Sequence, residues 1–148
     1  PLRLDDISEP EPDIAILRPR ADFYTTAHPA AADVLLVIEV ADTSLAYDLG
    51  TKVPLYARHG IPEVWVIDTA TRRIRAFRHP VGGREAGRSD DSGYAEEVSV
   101  EPHEAVSCAG VLDDAGGRVV VELARLLPPS GQDAGVSRVF SGGSAAAT

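Results

Sequence analysis

Asp13, Glu39, Asp48 and Lys52 are the residues whose types and spacing could do chemistry. Glu39 sits near the end of Val34-Leu35-Leu36-Val37-Ile38-Glu39-Val40, a β-rich run that is apolar on both alternations. Such a pattern predicts a strand buried on both faces. A carboxylate there is costly unless it is paired with a charge or bound to a metal. Asp13 opens an earlier short apolar run, Asp13-Ile14-Ala15-Ile16-Leu17. If the two runs are antiparallel neighbours, both carboxylates fall at one edge of the sheet. Two carboxylates meeting there suit a hard divalent cation such as Mg²⁺, which takes oxygen ligands and keeps several waters. A lysine beside them could orient an attacking water or stabilise charge on a phosphate. Spacing alone favours a plainer arrangement, in which Glu39 and Lys52 form an ordinary ion pair.

The elements that must position these residues follow from pattern and punctuation. Ser8-Glu9-Pro10-Glu11-Pro12 is Pro-rich and reads as extended. The first strand follows at Asp13, then a loop from Arg18 to Asp33, then the strand at Val34. Asp42-Thr43-Ser44 is a turn that offers helix-capping side chains. A helix is predicted from there to about His59, ended by Gly60 with Pro62 beyond. Pro54 interrupts it, because proline lacks the N–H and clashes with the carbonyl four residues back, here Gly50. Either the helix kinks there or its regular part begins near Lys52.

Further strands are predicted at Glu63–Asp68, at Arg72–Arg78 as its hairpin partner, and at Tyr94–Val100. Pro80 to Gly93 reads as a mobile Gly-rich loop, and Arg118 to Leu127 as a strand-to-helix segment able to cover the sheet. The order is that of a mixed α/β fold. Val34 through the helix to Ile67 forms a βαβ unit, with parallel strands and a right-handed crossover expected. Both predicted carboxylate positions and the start of the helix, with Asp48 and Lys52, then lie at one sheet edge.

Composition bounds the rest. The 148 residues are about one domain's worth, read here as a domain over residues 1–127 and a disordered Gly/Ser/Ala-rich tail over 128–148. Aromatics are only 5%, so the core must be aliphatic. Cys108 is the single cysteine, which excludes an internal disulfide and a cysteine zinc cluster and suggests an inert core residue. The histidines lack zinc-ligand spacing, and no P-loop, G-x-S-x-G elbow or dinucleotide glycine fingerprint is present. No segment approaches the roughly 18 apolar residues of a membrane helix. The expected setting is therefore cytoplasmic, with no membrane partner.

The net charge of −9 argues against broad non-specific nucleic-acid binding. Yet between Ala46 and Pro80 six basic residues (Lys52, Arg58, Arg72, Arg73, Arg75, Arg78) face three acids (Asp48, Glu63, Asp68). That segment reads equally as a local basic face or as a solvated strand. Tyr56 follows Lys52 by four residues and could share its helix face, though core packing is the commoner fate. Trp65 reads as a core anchor.

Four motifs in order resemble the Uma-two family, grouped with restriction endonucleases in the PD-(D/E)XK nuclease superfamily. They are Glu11-Pro12-Asp13-Ile14-Ala15-Ile16, Val37-Ile38-Glu39-Val40, Asp48 and Lys52 with Tyr56, and Gly60-Ile61-Pro62-Glu63-Val64-Trp65-Val66-Ile67-Asp68. The resemblance runs from about Pro1 to Arg78. It implies a restriction-endonuclease-like mixed sheet with one crossover helix. It also implies a metal-dependent endonuclease acting on DNA, with Asp13, Glu39 and Lys52 as the catalytic set. Asp13 and Glu39 are the implied ligands of Mg²⁺ or another divalent cation such as Mn²⁺. A homodimer is compatible with this reading.

Two departures stand out. The superfamily's usual lysine lies two residues after the glutamate, where this chain has Ala41; Lys52 would supply it from the helix. Family members also carry a helix and strand before the proline-aspartate motif, and this chain, which contains no methionine, starts twelve residues before Asp13. An N-terminally truncated domain is therefore expected. The alternative is a non-catalytic or decayed nuclease-fold module that binds nucleic acid or protein. A hydrolase acting on another phosphate ester is a third reading.

Overall fold

The computed structural model describes residues 1–82, 92–112 and 116–126. Five strands form one mixed sheet in the order β1 (Ile14–Leu17), β2 (Val34–Ala41), β3 (Glu63–Asp68), β4 (Arg73–Val81) and β5 (Gly93–Val100). β1 and β2 are antiparallel, with Ile14 opposite Ile38; β2 and β3 are parallel, with Glu39 opposite Val66. β3, β4 and β5 continue antiparallel. The architecture is mixed α/β, with one main helical run crossing between β2 and β3. The tail predicted over 128–148, and most of the loop predicted between Pro80 and Gly93, lie outside the described residues.

Alternation along β2 and β3 sorts side chains onto two faces, as a two-residue strand period requires. Val37, Ala41, Val64 and Val66 point to one face, where they pack with Val53, Tyr56, Ile61 and Phe77. Leu36, Ile38, Trp65 and Ile67 point to the other, against Val106 and Cys108. Both faces of β2 are thus covered, as its unbroken apolar run predicts. Leu2 and Leu4 also enter the first cluster. Their segment is fixed by Leu2 and Leu4 N–H groups donating to Pro10 and Ser8 carbonyls. No periodic signal in the sequence marks those two leucines.

The cover on the second face is a two-stranded antiparallel sheet, β6 (Ala105–Leu112) and β7 (Arg118–Glu122), followed by α3 (Leu123–Leu126). The strand-to-helix reading of the last segment is correct, with Val119 and Val121 packed against the core. β6 is absent from the sequence-based reading. Its run Ala-Val-Ser-Cys-Ala-Gly-Val-Leu holds small, weakly β-forming residues and a glycine, so propensity does not announce it. β4 extends beyond Arg78 to Val81 because its pairing with β3 stops at Arg78 while that with β5 continues. Pro80 therefore stands where β4 has only one partner, and its missing N–H costs no ladder bond.

The crossover helix is three joined pieces: α1 (Leu45–Tyr47), a π-helical stretch (Asp48–Lys52) and α2 (Val53–Arg58). The Val53 N–H donates to the Asp48 carbonyl, five residues back. This wider turn lies where Pro54 would otherwise press on Gly50, so the proline is absorbed at the start of α2. The regular part of the helix therefore begins just after Lys52, the second of the two alternatives for Pro54. Gly60 ends α2 at φ 72°, with Ile61 N–H to the Tyr56 carbonyl and Gly60 N–H to the Ala57 carbonyl. That is the paired C-terminal cap that glycine alone forms without strain. The predicted capping role of Asp42-Thr43-Ser44 does not hold for Ser44, whose hydroxyl makes no cap bond.

Candidate active site

Glu39 is wholly buried, on the face of β2 that meets the helix. A bare charge there would be severely penalised, so its partners decide what it is. Oε2 accepts from Lys52 Nζ at 2.7 Å, and Oε1 accepts from the Tyr56 hydroxyl at 2.6 Å. Both donors come from the crossover helix, one helical turn apart. The Lys52 ammonium also lies 3.2 Å from Asp48 Oδ1, and Asp48 is itself buried. The Ser44 hydroxyl donates to Asp48 Oδ2. The hydroxyl expected to cap the helix instead holds a carboxylate in the cluster.

Asp13 approaches from β1. Extending the β1–β2 register by one residue sets it opposite Glu39, on the same face of the sheet. It is exposed, and its Oδ2 accepts the Val40 N–H at 2.7 Å. The structure thus brings Glu39, Lys52, Asp48 and Tyr56 into direct contact and places Asp13 at the rim of the cluster. Ala41, two residues after Glu39, points to the same face and is wholly buried.

The electrostatics follow from this packing. Burial would lower the Lys52 pKa, but the hydrogen bond and charge of Glu39, with Asp48 adding, outweigh it and raise it above the ordinary lysine value. Lys52 is an ammonium at neutral pH and cannot serve as a base. Tyr56 is raised well above the ordinary tyrosine range, first by burial, then by its bond to Glu39 and the charges of Glu39, Asp48 and, least, Asp13. It is a neutral donor. The cluster offers carboxylate oxygens, one fixed cation and one fixed hydroxyl.

That donor set suits a hard cation. Each Glu39 oxygen keeps a second lone pair after its one donor, and Asp48 Oδ1 is buried with no hydrogen-bond partner. Among the described residues, no three histidine, cysteine or acidic side chains converge closely enough to form a complete protein cage. Magnesium does not require one, since one or two carboxylates with waters and substrate phosphate suffice.

A second buried carboxylate, Glu63, belongs to the opposite face. Oε1 accepts from Trp65 Nε1 and Arg78 Nε, each at 2.8 Å, and Oε2 from the Ala109 N–H at 2.7 Å. Arg78 also donates to the Ser107 carbonyl at 2.7 Å. This network fastens β6 to the main sheet. Trp65 is the core anchor expected, and Cys108 beside Glu63 is a protonated thiol, pushed up to about 11 by burial and the Glu63 charge.

The basic segment is not an open basic face on β4. Arg75 pairs with Glu97 at 2.6 Å, Arg73 with Glu101 at 3.0 Å, and Arg78 with Glu63 and Glu96. Glu96 and Glu97 lie on β5 and Glu101 just beyond it, all outside the Ala46–Pro80 segment. The solvated-strand reading holds for Arg73 and Arg75, whereas Arg78 turns inward to the buried Glu63. Among the described residues no helix is long and apolar enough to cross a membrane.

Comparison with known proteins places the chain. Residues 1–109 match the model of a family described as "Putative restriction endonuclease". The match extends past Arg78, where the motif resemblance stops, and takes in β1 to β5 and part of β6. No curated protein matches the sequence. With most of its length matched by that model, the chain belongs to the Uma2 family.

Proposed function

We propose that this protein is a metal-dependent endonuclease that hydrolyses DNA phosphodiester bonds, with Asp13, Glu39 and Lys52 as its catalytic set. The observation that carries the reading is the buried Glu39 carboxylate held 2.7 Å from a helix-borne ammonium, at the sheet edge where Asp13 also ends. An apolar strand has no structural need for that charge.

Asp13 and Glu39 would hold Mg²⁺ or another divalent cation such as Mn²⁺. When bound, such an ion lowers the pKa of coordinated water and polarises the phosphate. Glu39 is kept in one orientation by Tyr56. Lys52 keeps its positive charge and stabilises the negative charge that builds on phosphate oxygens during attack. It replaces the strand lysine because Ala41 faces the packed core.

A second reading has its own support. Both oxygens of Glu39 already have internal donors, and Arg73 and Arg75 of β4 are paired with Glu101 and Glu97. These features suit a non-catalytic nuclease-fold module that binds nucleic acid or protein. One experiment separates the two. Purified protein is incubated with plasmid DNA and Mg²⁺ or Mn²⁺, alongside Asp13→Ala and Glu39→Gln variants shown to be folded. Cleavage that needs the cation and both carboxylates supports the nuclease. Absence of cleavage by the folded parent, or equal cleavage by the variants, overturns it in favour of the second reading.

A further inference from the structure

Lys52 is shared unequally between two buried carboxylates. Nζ makes a hydrogen bond to Glu39 Oε2 at 2.7 Å and stands 3.2 Å from Asp48 Oδ1. The longer approach is close enough for attraction but is misaligned for a hydrogen bond, and Asp48 Oδ1 has no other donor. Asp48 is 1% exposed, so bulk solvent does not reach it. Its other oxygen is held by the Ser44 hydroxyl, which fixes the carboxylate and leaves Oδ1 facing the ammonium. A buried, charged acceptor without a donor is a costly state to maintain.

We propose that Asp48 is a second seat for the Lys52 ammonium, taken when the charge of Glu39 is claimed by a bound cation. This rests on the reading of Glu39 as a cation ligand. The ammonium now bonded to Oε2 would be repelled by a divalent ion held at Glu39. The lysine stem is flexible and carries three rotatable donors, so a small displacement completes the bond to Asp48 Oδ1. Without that seat the ammonium would swing outward, since the Lys52 side chain already reaches solvent at 21% exposure. Asp48 is thus a positioning residue. It keeps Lys52 beside the reacting phosphate after Glu39 lets it go. The π-helical stretch serves the same end, because Asp48 and Lys52 are its first and last residues.

Glu39→Gln mimics a neutralised Glu39 without changing its shape, so the seat can be tested with no metal present. A double-mutant cycle of Asp48→Asn and Lys52→Met is measured by urea unfolding of the full chain, once with Glu39 and once in the Glu39→Gln background. The Asp48–Lys52 coupling is expected to grow at least about fivefold in the unfolding constant when Glu39 is neutral. An unchanged or smaller coupling overturns the proposal. Should a variant of the cycle not fold, ¹⁵N NMR of the lysine ammonium replaces it. A protected Lys52 ammonium that persists in Glu39→Gln supports the seat, and its loss there overturns it. Calorimetric titration with Mn²⁺ is run in parallel on the parent and Glu39→Gln. Increased coupling with no Glu39-dependent Mn²⁺ binding keeps the Asp48 seat and removes the cation reading. Glu39-dependent binding with no rise in coupling does the reverse.

Discussion

The Tyr56 hydroxyl and Glu39 Oε1 are 2.6 Å apart, and both residues are wholly buried. Tyr56→Phe keeps the ring in the core and removes one donor from a charged acceptor. The expected loss of stability is about 1.5–3 kcal/mol, the range for hydrogen bonds to charged groups. Urea denaturation with unchanged m-value checks it. A loss below about 0.5 kcal/mol would show that Glu39 finds another donor, contrary to the packing around it.

Arg78 joins four strands through Glu63, Glu96 and the Ser107 carbonyl. Arg78→Leu would strand Glu63, which is 1% exposed, beside Trp65 and Cys108. Removing one partner of a buried pair costs about 3–5 kcal/mol. The first consequence is expected at β6, because the Ala109 N–H and Ser107 carbonyl both lie on it. Amide hydrogen exchange should rise in β6 more than in β2 or β3. Uniform protection across the three would mean that this network does not fasten the small sheet.

These two networks show what the sequence announces and what it withholds. Glu39 and Lys52 could be paired on paper, because strand, turn and helix follow one another closely between them and each is marked by its own pattern. The antiparallel β1–β2 pair and the parallel β2–β3 pair follow from loop length and from the crossover helix. Asp48 could be placed near the site but not shown to lack a donor, since that depends on which way Ser44 turns. Tyr56 reads as core from its spacing; it is in the core and also donates to Glu39. Glu63 gives no such signal: its partner Ala109, and the Ser107 carbonyl that accepts from Arg78, lie on β6, whose small residues hide the strand. Likewise the charge count leaves a basic face and a solvated strand equally open for Arg73 and Arg75, because charge counted along the chain ignores the acids of the neighbouring strand and its end. Leu2 and Leu4 are core residues without periodicity, positioned by contacts with distant loops.

Tyr94 makes the alkaline limit of stability testable. Its hydroxyl donates to the Ile61 carbonyl at 2.8 Å, and burial raises its pKa well above the ordinary tyrosine value. A raised folded pKa means that stability is intact below the unfolded value of about 10 and is lost as pH rises above it. The expected slope for this one proton is about 1.4 kcal/mol per pH unit. Tyr94→Phe should be less stable than the parent at pH 7, having lost one hydrogen bond, and should close the gap between pH 10 and 11.5. Chemical denaturation across that range checks both halves. Parallel pH profiles for the two proteins would mean that the hydroxyl ionises as easily folded as unfolded.

Ala41 tests the proposal that the helix supplies the catalytic lysine. The superfamily position two residues after Glu39 is occupied here by a wholly buried alanine, packed in the cluster that holds Val53, Tyr56 and Val66. Its carbonyl is also committed, accepting the Thr69 N–H at 3.0 Å. A lysine introduced there would overfill the space between sheet and helix, at a cost of about 1–3 kcal/mol from packing alone. Its ammonium would then compete with Lys52 for the same Glu39. Ala41→Lys is therefore expected to lower the urea midpoint markedly. In the Lys52→Met background, Ala41→Lys should not restore cation-dependent DNA cleavage if the helix has taken over the lysine's place. Restored cleavage with parent-like stability would show that the strand position is still open to a lysine, and that the packing around Ala41 is not what moved the charge to the helix.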